Sequence, residues 1–318
     1  MRAAEWPTPE ASVQAMGVGV NFGNCLEAPN EGEWGVRIEA DDCAKIKAAG
    51  FTSVRVPVKW SNHAAKTAPF AIEPKFLARV DEVLAQAEKA GLIVILNIHH
   101  YDEMDKAPTE HRERFLALWT QIAEHYQNAP PTVVFELLNE PHDKLTPELW
   151  NEIVPEALKI VRAKHPQRNV VIGPGSWNNV NFLSKLALPA DDRHIIGTFH
   201  YYEPFQFTHQ GAHWVNGSDK WKGKTWTGTS EELDRLRKDF DKAADWSKSE
   251  KRPLLLGEFG AFNAAPQESR ATWTKAVVEE AAKRGFAATY WEYSSGFGVY
   301  DPANKVWRDD LRKALIGK

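Results

Sequence analysis

Residues 130–141 read Pro130-Pro131-Thr132-Val133-Val134-Phe135-Glu136-Leu137-Leu138-Asn139-Glu140-Pro141. An apolar, strand-like run leads into an Asn-Glu pair and stops at a proline. Proline has no N–H for a sheet ladder and restricts the residue before it, so Glu140 is expected where a strand ends and a loop begins. Packing explains a carboxylate there poorly, because carboxylates are seldom buried without partners. Taken alone, the Asn-Glu-Pro triplet also fits a solvated loop. The pattern around it decides.

Outward from this stretch the chain alternates strand-like and helical runs. Strands are predicted over residues 17–21, 52–56, 92–98, 133–138, 170–172, 195–199, 254–257 and 286–291. Helices are predicted over 39–49, 74–90, 110–126, 147–164, 180–186, 230–248, 266–284 and 309–315. Pro74 suits a first helical turn, and Gly50 and Gly91 follow helix ends. The run 92–98 is nearly all apolar, as in a strand buried on both faces. Strict alternation implies a parallel sheet with helical crossovers. Eight units predict a closed (β/α)₈ barrel, an α/β fold, as a single domain over 1–318. An open doubly wound sheet competes, but no glycine-rich phosphate loop follows the first strand.

The totals narrow the function classes. The chain has 318 residues, is 43% hydrophobic and 26% charged, and carries a formal net charge of −4, so nothing basic points to nucleic acid. No stretch is long and apolar enough for a bilayer. Several of the 13 tryptophans fall in predicted loops, where aromatic faces can grip flat, partly apolar ligands. Cys25 and Cys43 allow at most one disulfide and form no metal-type cluster. Residues 1–7 lack a signal-peptide core, so the protein is either intracellular or a mature exported chain, with export expected. A monomer is expected.

In such a barrel the active site lies at the C-terminal strand ends. Those ends carry Arg55, His99-His100-Tyr101, Asn139-Glu140, His200-Tyr201-Tyr202, Glu258 and Trp291-Glu292, with Asn21, Asn24 and Glu27 in the first unit. Glu292 alternates with Trp291 and is expected to point away from the mouth. Each residue singly has a structural reading, as an ion pair, a satisfied histidine or rim packing. Their coincidence at one end of the barrel does not.

Two glutamates across a cavity are what glycoside hydrolysis needs, one a proton donor and the other a nucleophile or base. Glu258, near Arg55 and Tyr202, is expected to have a lowered pKa and serve as nucleophile. Glu140, beside the neutral Asn139, is expected to hold its proton to neutral pH and act as acid, then base. Trp291 is the expected sugar platform. Trp177, Trp214, Trp221 and Trp226 are further stacking candidates, with Trp177 and Trp214 preferred. Retention requires carboxyl carbons roughly 5 Å apart, against nearer 8 Å for inversion.

These pieces together resemble glycoside hydrolase family 5, the cellulase family, over nearly the whole chain. The resemblance is carried by Asn-Glu-Pro at 139–141, Gly-Glu-Phe-Gly at 257–260, His-Tyr-Tyr at 200–202, Arg55, His99 and Trp291. All eight of the family's characteristic active-site positions find a match in order. It implies Glu140 as acid/base, Glu258 as nucleophile, and Asn139 on the sugar 2-hydroxyl. Arg55 and Tyr202 would orient Glu258, while His99 and His200 line the site, His200 close to the acid. The opening Gly-Val-Asn-Phe-Gly-Asn-Cys-Leu-Glu-Ala-Pro and the doubled histidine are similar to compact thermophilic-type endoglucanases, which implies that Asn21, Glu27 and His100 also reach the sugar.

The expected activity is that of a retaining endo-β-1,4-glucanase without metal or cofactor, acting on β-glucan. An endo-β-1,4-mannanase or dual enzyme acting on β-mannan is the near alternative. Two others belong to different classes. One is a carbohydrate-binding barrel that no longer cleaves, which the intact glutamate pair opposes. The other is a metal-dependent isomerase using His99, His100 and the glutamates, opposed because adjacent strand residues point to opposite faces.

Overall fold

A computed structural model describes residues 6–317. Eight parallel strands close on themselves in sequence order. They are β1 (Val18–Asn21), β2 (Ser53–Val56), β3 (Ile93–Asn97), β4 (Val133–Glu136), β5 (Val170–Ile172), β6 (Ile195–Tyr201), β7 (Leu254–Phe259) and β8 (Ala287–Tyr290). The helices Pro74–Ala90 and Pro147–Lys164 have the predicted bounds, each with proline in its first turn. The predicted helix at 180–186 is a 3-10 turn, Val180–Lys185.

Period two sorts the strand side chains into two apolar sets. The outward set, including Val54, Val94, Phe135, Phe199 and Leu256, joins one continuous core with the surrounding helices. The inward set is a separate small cluster of Ile95, Val134, Val171, Ile196, Leu255 and Ala287. A helix that the sequence pattern did not reveal, Pro9–Met16, adds Val13 and Met16 to this inner cluster. Thr8 caps that helix by accepting a hydrogen bond from Ala11 N at 3.2 Å. With only two anchoring apolar residues in eight, its periodicity is too short to read.

The long segment between β6 and the helix Ser230–Glu250 is ordered by one glutamine. Buried Gln210 donates to the carbonyls of Phe207 and Lys224 and accepts from Gly223 N. Cys25 and Cys43 are buried free thiols. Among the described residues, no helix is long and apolar enough to cross a membrane.

Candidate active site

At the C-terminal strand ends the inner face turns polar. Arg55, fully buried on β2, uses every one of its N–H groups. Nε and Nη2 bind the two oxygens of Glu136 at 2.6 and 2.7 Å, and Nη2 also binds Asn139 Oδ1 at 2.7 Å. Nη1 binds Asn21 Oδ1 at 2.9 Å and Glu258 Oε1 at 2.7 Å. The guanidinium is therefore a hub joining β1, β2, β4 and β7. Glu136 is its missing partner in the sequence reading, where it passed as part of an apolar strand. Its signal was parity: Val134 and Glu136 share the inner face below Glu140.

Glu258 reaches the site through a register shift. Phe199 pairs with Leu256 and His200 with Glu258, so Gly257 is an extra residue on β7. A bulge of this kind re-aims the next side chain. Strict alternation from inward Leu255 would have turned Glu258 outward. Glycine is required at 257, since a Cβ there would come within 2.8 Å of both His200 Nε2 and Thr198 Oγ1.

Glu258 then accepts from Arg55 and, at 2.9 Å, from the Tyr202 hydroxyl. Its pKa nevertheless lies above the ordinary carboxylate value, because burial outweighs the opposing influence of His200 and Arg55. The expectation of a lowered value is corrected: the same cavity that supplies Arg55 also excludes water. Glu140 sits with φ of 46° just past β4 and is pushed up to about 7, by burial first, with Arg55 and His142 pulling the other way. His200 Nδ1 lies 2.6 Å from Glu140 Oε1 and 3.7 Å from Glu258 Oε2. Burial holds that imidazole down at about 4, so it is neutral in the working range. Single ligand-type atoms of Glu140, His200 and Glu258 all fall within 4.8 Å of one another.

These groups open into a cleft of ≈ 1080 Å³ that His99, His100, Tyr202, Trp177, Trp214 and Trp291 also line. Trp291 stacks on His99, with ring centres 5.5 Å apart and planes 7° from parallel. His99 and His100 both line the cleft, their rings 4.7 Å apart. The opposite-face expectation fails because β3 ends at Asn97, two residues earlier.

Asn21 and Glu27, expected to reach sugar, are corrected. Both are fully buried behind the wall. Asn21 donates to the carbonyls of Gly257, Thr289 and Tyr290 and accepts from Arg55. Glu27 accepts from the backbone N–H groups of Asn24 and Cys25, which folds its own loop, while Asn24 lines the cleft. Trp226 is buried in the core and Trp221 stands outside the lining. Glu292 is buried away from the cleft, as expected, accepting from Phe297 N at 3.1 Å.

Trp34 is a lining residue that the sequence reading missed, 42% exposed with its ring 5.9 Å from that of His100. It sits in a glycine-flanked loop where no pattern marks it. Trp177 and Trp214 are 51% and 53% exposed, Trp177 stacking on His142 at 4.9 Å.

Comparison with known proteins fits this geometry. The family model for cellulase, glycosyl hydrolase family 5, matches residues 13–296. Endoglucanase H of Acetivibrio thermocellus is 38% identical over 304 residues, covering 96% of this chain and 32% of its own length. The chain spans about a third of the length of the first curated relatives it matches, 32% and 37%. The crystal structure of endoglucanase Cel5A from the hyperthermophilic Thermotoga maritima is 49% identical, with a TM-score of 0.96, and covers 98% of this chain and 100% of its own. That protein has also been crystallised with mannotriose and with cellobiose. A hyperthermophilic endo-β-1,4-glucanase in complex with substrate is 41% identical with a TM-score of 0.96, covering 98% of this chain and 100% of its own. This chain belongs to glycosyl hydrolase family 5, the cellulase family.

Proposed function

We propose that this chain is an endo-β-1,4-glucanase that cleaves by retaining double displacement. One observation carries the reading. Glu140 and Glu258 face one cleft with one carboxyl oxygen of each within 4.8 Å of the other, which fits the short spacing of retaining enzymes better than the longer gap that admits a water for inversion. Glu258, fixed by Arg55 and Tyr202, attacks the anomeric carbon while Glu140 protonates the departing glycosidic oxygen. Glu140 then takes a proton from water, which displaces Glu258 from the glycosyl-enzyme. The like charge that each carboxylate presents to the other falls away when Glu258 becomes an ester, and this favours the ionised base form of Glu140 at that step.

An endo mode follows from where the tryptophans lie. Trp34 belongs to the loop after β1, and Trp177 and Trp214 to the loops after β5 and β6, on the far side of the closed strand order. A chain stacked on both ends passes across the carboxylates. Asn139, its Oδ1 held by Arg55, has its amide nitrogen to offer a sugar hydroxyl. A second reading, glucan and mannan both, draws support from the Thermotoga relative crystallised with cellobiose and with mannotriose.

Initial rates on carboxymethyl-cellulose, barley mixed-linkage glucan and galactomannan test the proposal, with the anomer of the first product followed by proton NMR. Wild type should release β-anomer from glucan, in chelator as in buffer, and Glu140→Ala and Glu258→Ala should each lose several orders of magnitude. First-formed α-anomer would refute double displacement. Loss of activity in chelator would instead assign the Glu140–His200–Glu258 cluster to a cation.

A further inference from the structure

In the loop after β5, Ser176, Trp177 and Asn178 follow one another with φ of 64°, 60° and 51°. Left-handed backbone is uncommon outside glycine and costly for a side chain as large as tryptophan. The run sends adjacent side chains to different places: Trp177 is exposed in the cleft and Asn178 is fully buried. The Asn178 carbonyl accepts from His200 N at 2.9 Å, which ties the turn to β6. Its side-chain Nδ2 lies 3.3 Å from His200 Nε2, and its Oδ1 has no partner. Gly173 makes room for the amide, since a Cβ there would collide with it. Across the same ring, His200 Nδ1 meets Glu140.

We propose that Asn178 is a positioning residue that fixes the tautomer of His200 and, through it, the proton affinity of Glu140. This rests on the acid/base role proposed above. An amide nitrogen facing Nε2 makes that atom the acceptor, so the single proton of the neutral ring resides on Nδ1 and is donated to Glu140. A donor on a carboxylate favours its ionised form. The other tautomer would present a lone pair to Glu140 and favour the protonated acid. The remaining charged and titratable neighbours are the same in both cases. Glu258, Arg55 and Glu136 act on His200, while Arg55, His142 and Glu136 act on Glu140, with the Tyr202 hydroxyl bound to Glu258. The amide is the group that discriminates.

Asn178→Gly deletes the amide and suits the backbone, because glycine takes positive φ without strain. Freed of the constraint, the protonated acid gains a partner state, and the alkaline limb of kcat should move up by about half to one pH unit with KM unchanged. Asn178→Asp keeps the size and the tolerance of left-handed backbone but offers only an acceptor, so the ring should carry a proton on Nε2. Nitrogen-15 spectra of histidine-labelled protein read this directly, the His200 signals being those lost in His200→Gln. The expected wild-type spectrum shows His200 protonated on Nδ1 alone. A wild-type proton on Nε2 overturns the proposal. So does a raised KM with an unmoved limb in both variants, the mark of a turn merely loosened under Trp177. If wild type hydrolyses no glucan, the spectra still decide the tautomer, and the two failures stay distinct.

Discussion

The inside of the barrel holds two layers built by the same strands two residues apart. In the lower layer Ile95, Val134, Ile196, Leu255 and Ala287 meet side chain to side chain, with Met16 beneath them. In the upper layer Asn97, Glu136, Thr198 and Thr289 succeed four of them, joined by Asn21 and Arg55, and all six are buried. The lower layer needs only volume, since apolar groups pack without direction. The upper layer needs every polar atom matched, since an unmatched buried charge costs several kcal/mol. One end of the strands can absorb substitution by repacking. The other cannot, and it is the end that carries Glu258.

Breaking the upper layer should have the largest effect. Arg55→Lys keeps the charge but replaces a planar five-donor fork by a point with three donors, so Glu136, Asn21, Asn139 and Glu258 cannot all be served. We expect kcat on mixed-linkage glucan to fall by two orders of magnitude or more, roughly what losing one oriented electrostatic contact costs. The denaturation midpoint should fall as well, since one buried carboxylate loses its bidentate partner. A variant with near wild-type kcat would show that the hub is scaffolding alone.

The lower layer should respond in stability only. Leu255→Ala opens a cavity under β7 and should cost about 2–5 kcal/mol of unfolding free energy. Turnover per folded molecule at low temperature should remain close to wild type, because Leu256 and the bulged Gly257 separate the cavity from the nucleophile. A kcat loss as large as that of Arg55→Lys, measured alongside a denaturant titration, would erase the distinction between the layers.

That distinction also explains what the sequence could and could not convey. Eight alternating units were readable because outward and inward faces both repeat, and prolines and glycines punctuate the helices. The strand-end residues were readable because glutamate, arginine and histidine are out of place in packing. What lay behind them was not. Glu136 hides inside an apolar run, and the resemblance that brings Asn21 and Glu27 to the sugar carries no information on depth. The Glu258 pKa lies on the other side of the ordinary value from the one its charge partners predict, because those partners can be read from a sequence and desolvation cannot. Asn178 sits in a turn that no local pattern marks.

The upper layer sets a pH window whose width is a finer test. Productive enzyme has Glu258 ionised and Glu140 protonated. Burial raises the first above the ordinary carboxylate value and carries the second to about 7, so kcat/KM should describe a narrow bell, with its alkaline limb near neutrality and its acidic limb above the usual range. With an aryl glycoside whose leaving group needs no proton, Glu140→Gln should retain measurable turnover and lose the alkaline limb. A limb that persists in that variant would belong to another group.

The smallest effect should come from the rim, where neither layer's rule applies. Trp177 and Trp34 are half-exposed, Trp34 meeting His100 edge to face, while Trp177 stacks on His142 and presents its other ring face at no cost to the core. Trp177→Ala should leave kcat nearly unchanged and raise KM for long glucans by about three- to ten-fold, the scale of one aromatic stacking contact. Trp177→Phe should recover part of that loss, and short oligosaccharides that do not reach the ring should show no change. Such binding is uniform between ground and transition state, so it shifts KM and spares the chemical step. A drop in kcat instead would mean that the turn of residues 176–178 transmits the loss inward to Asn178 and His200, joining the rim to the polar layer.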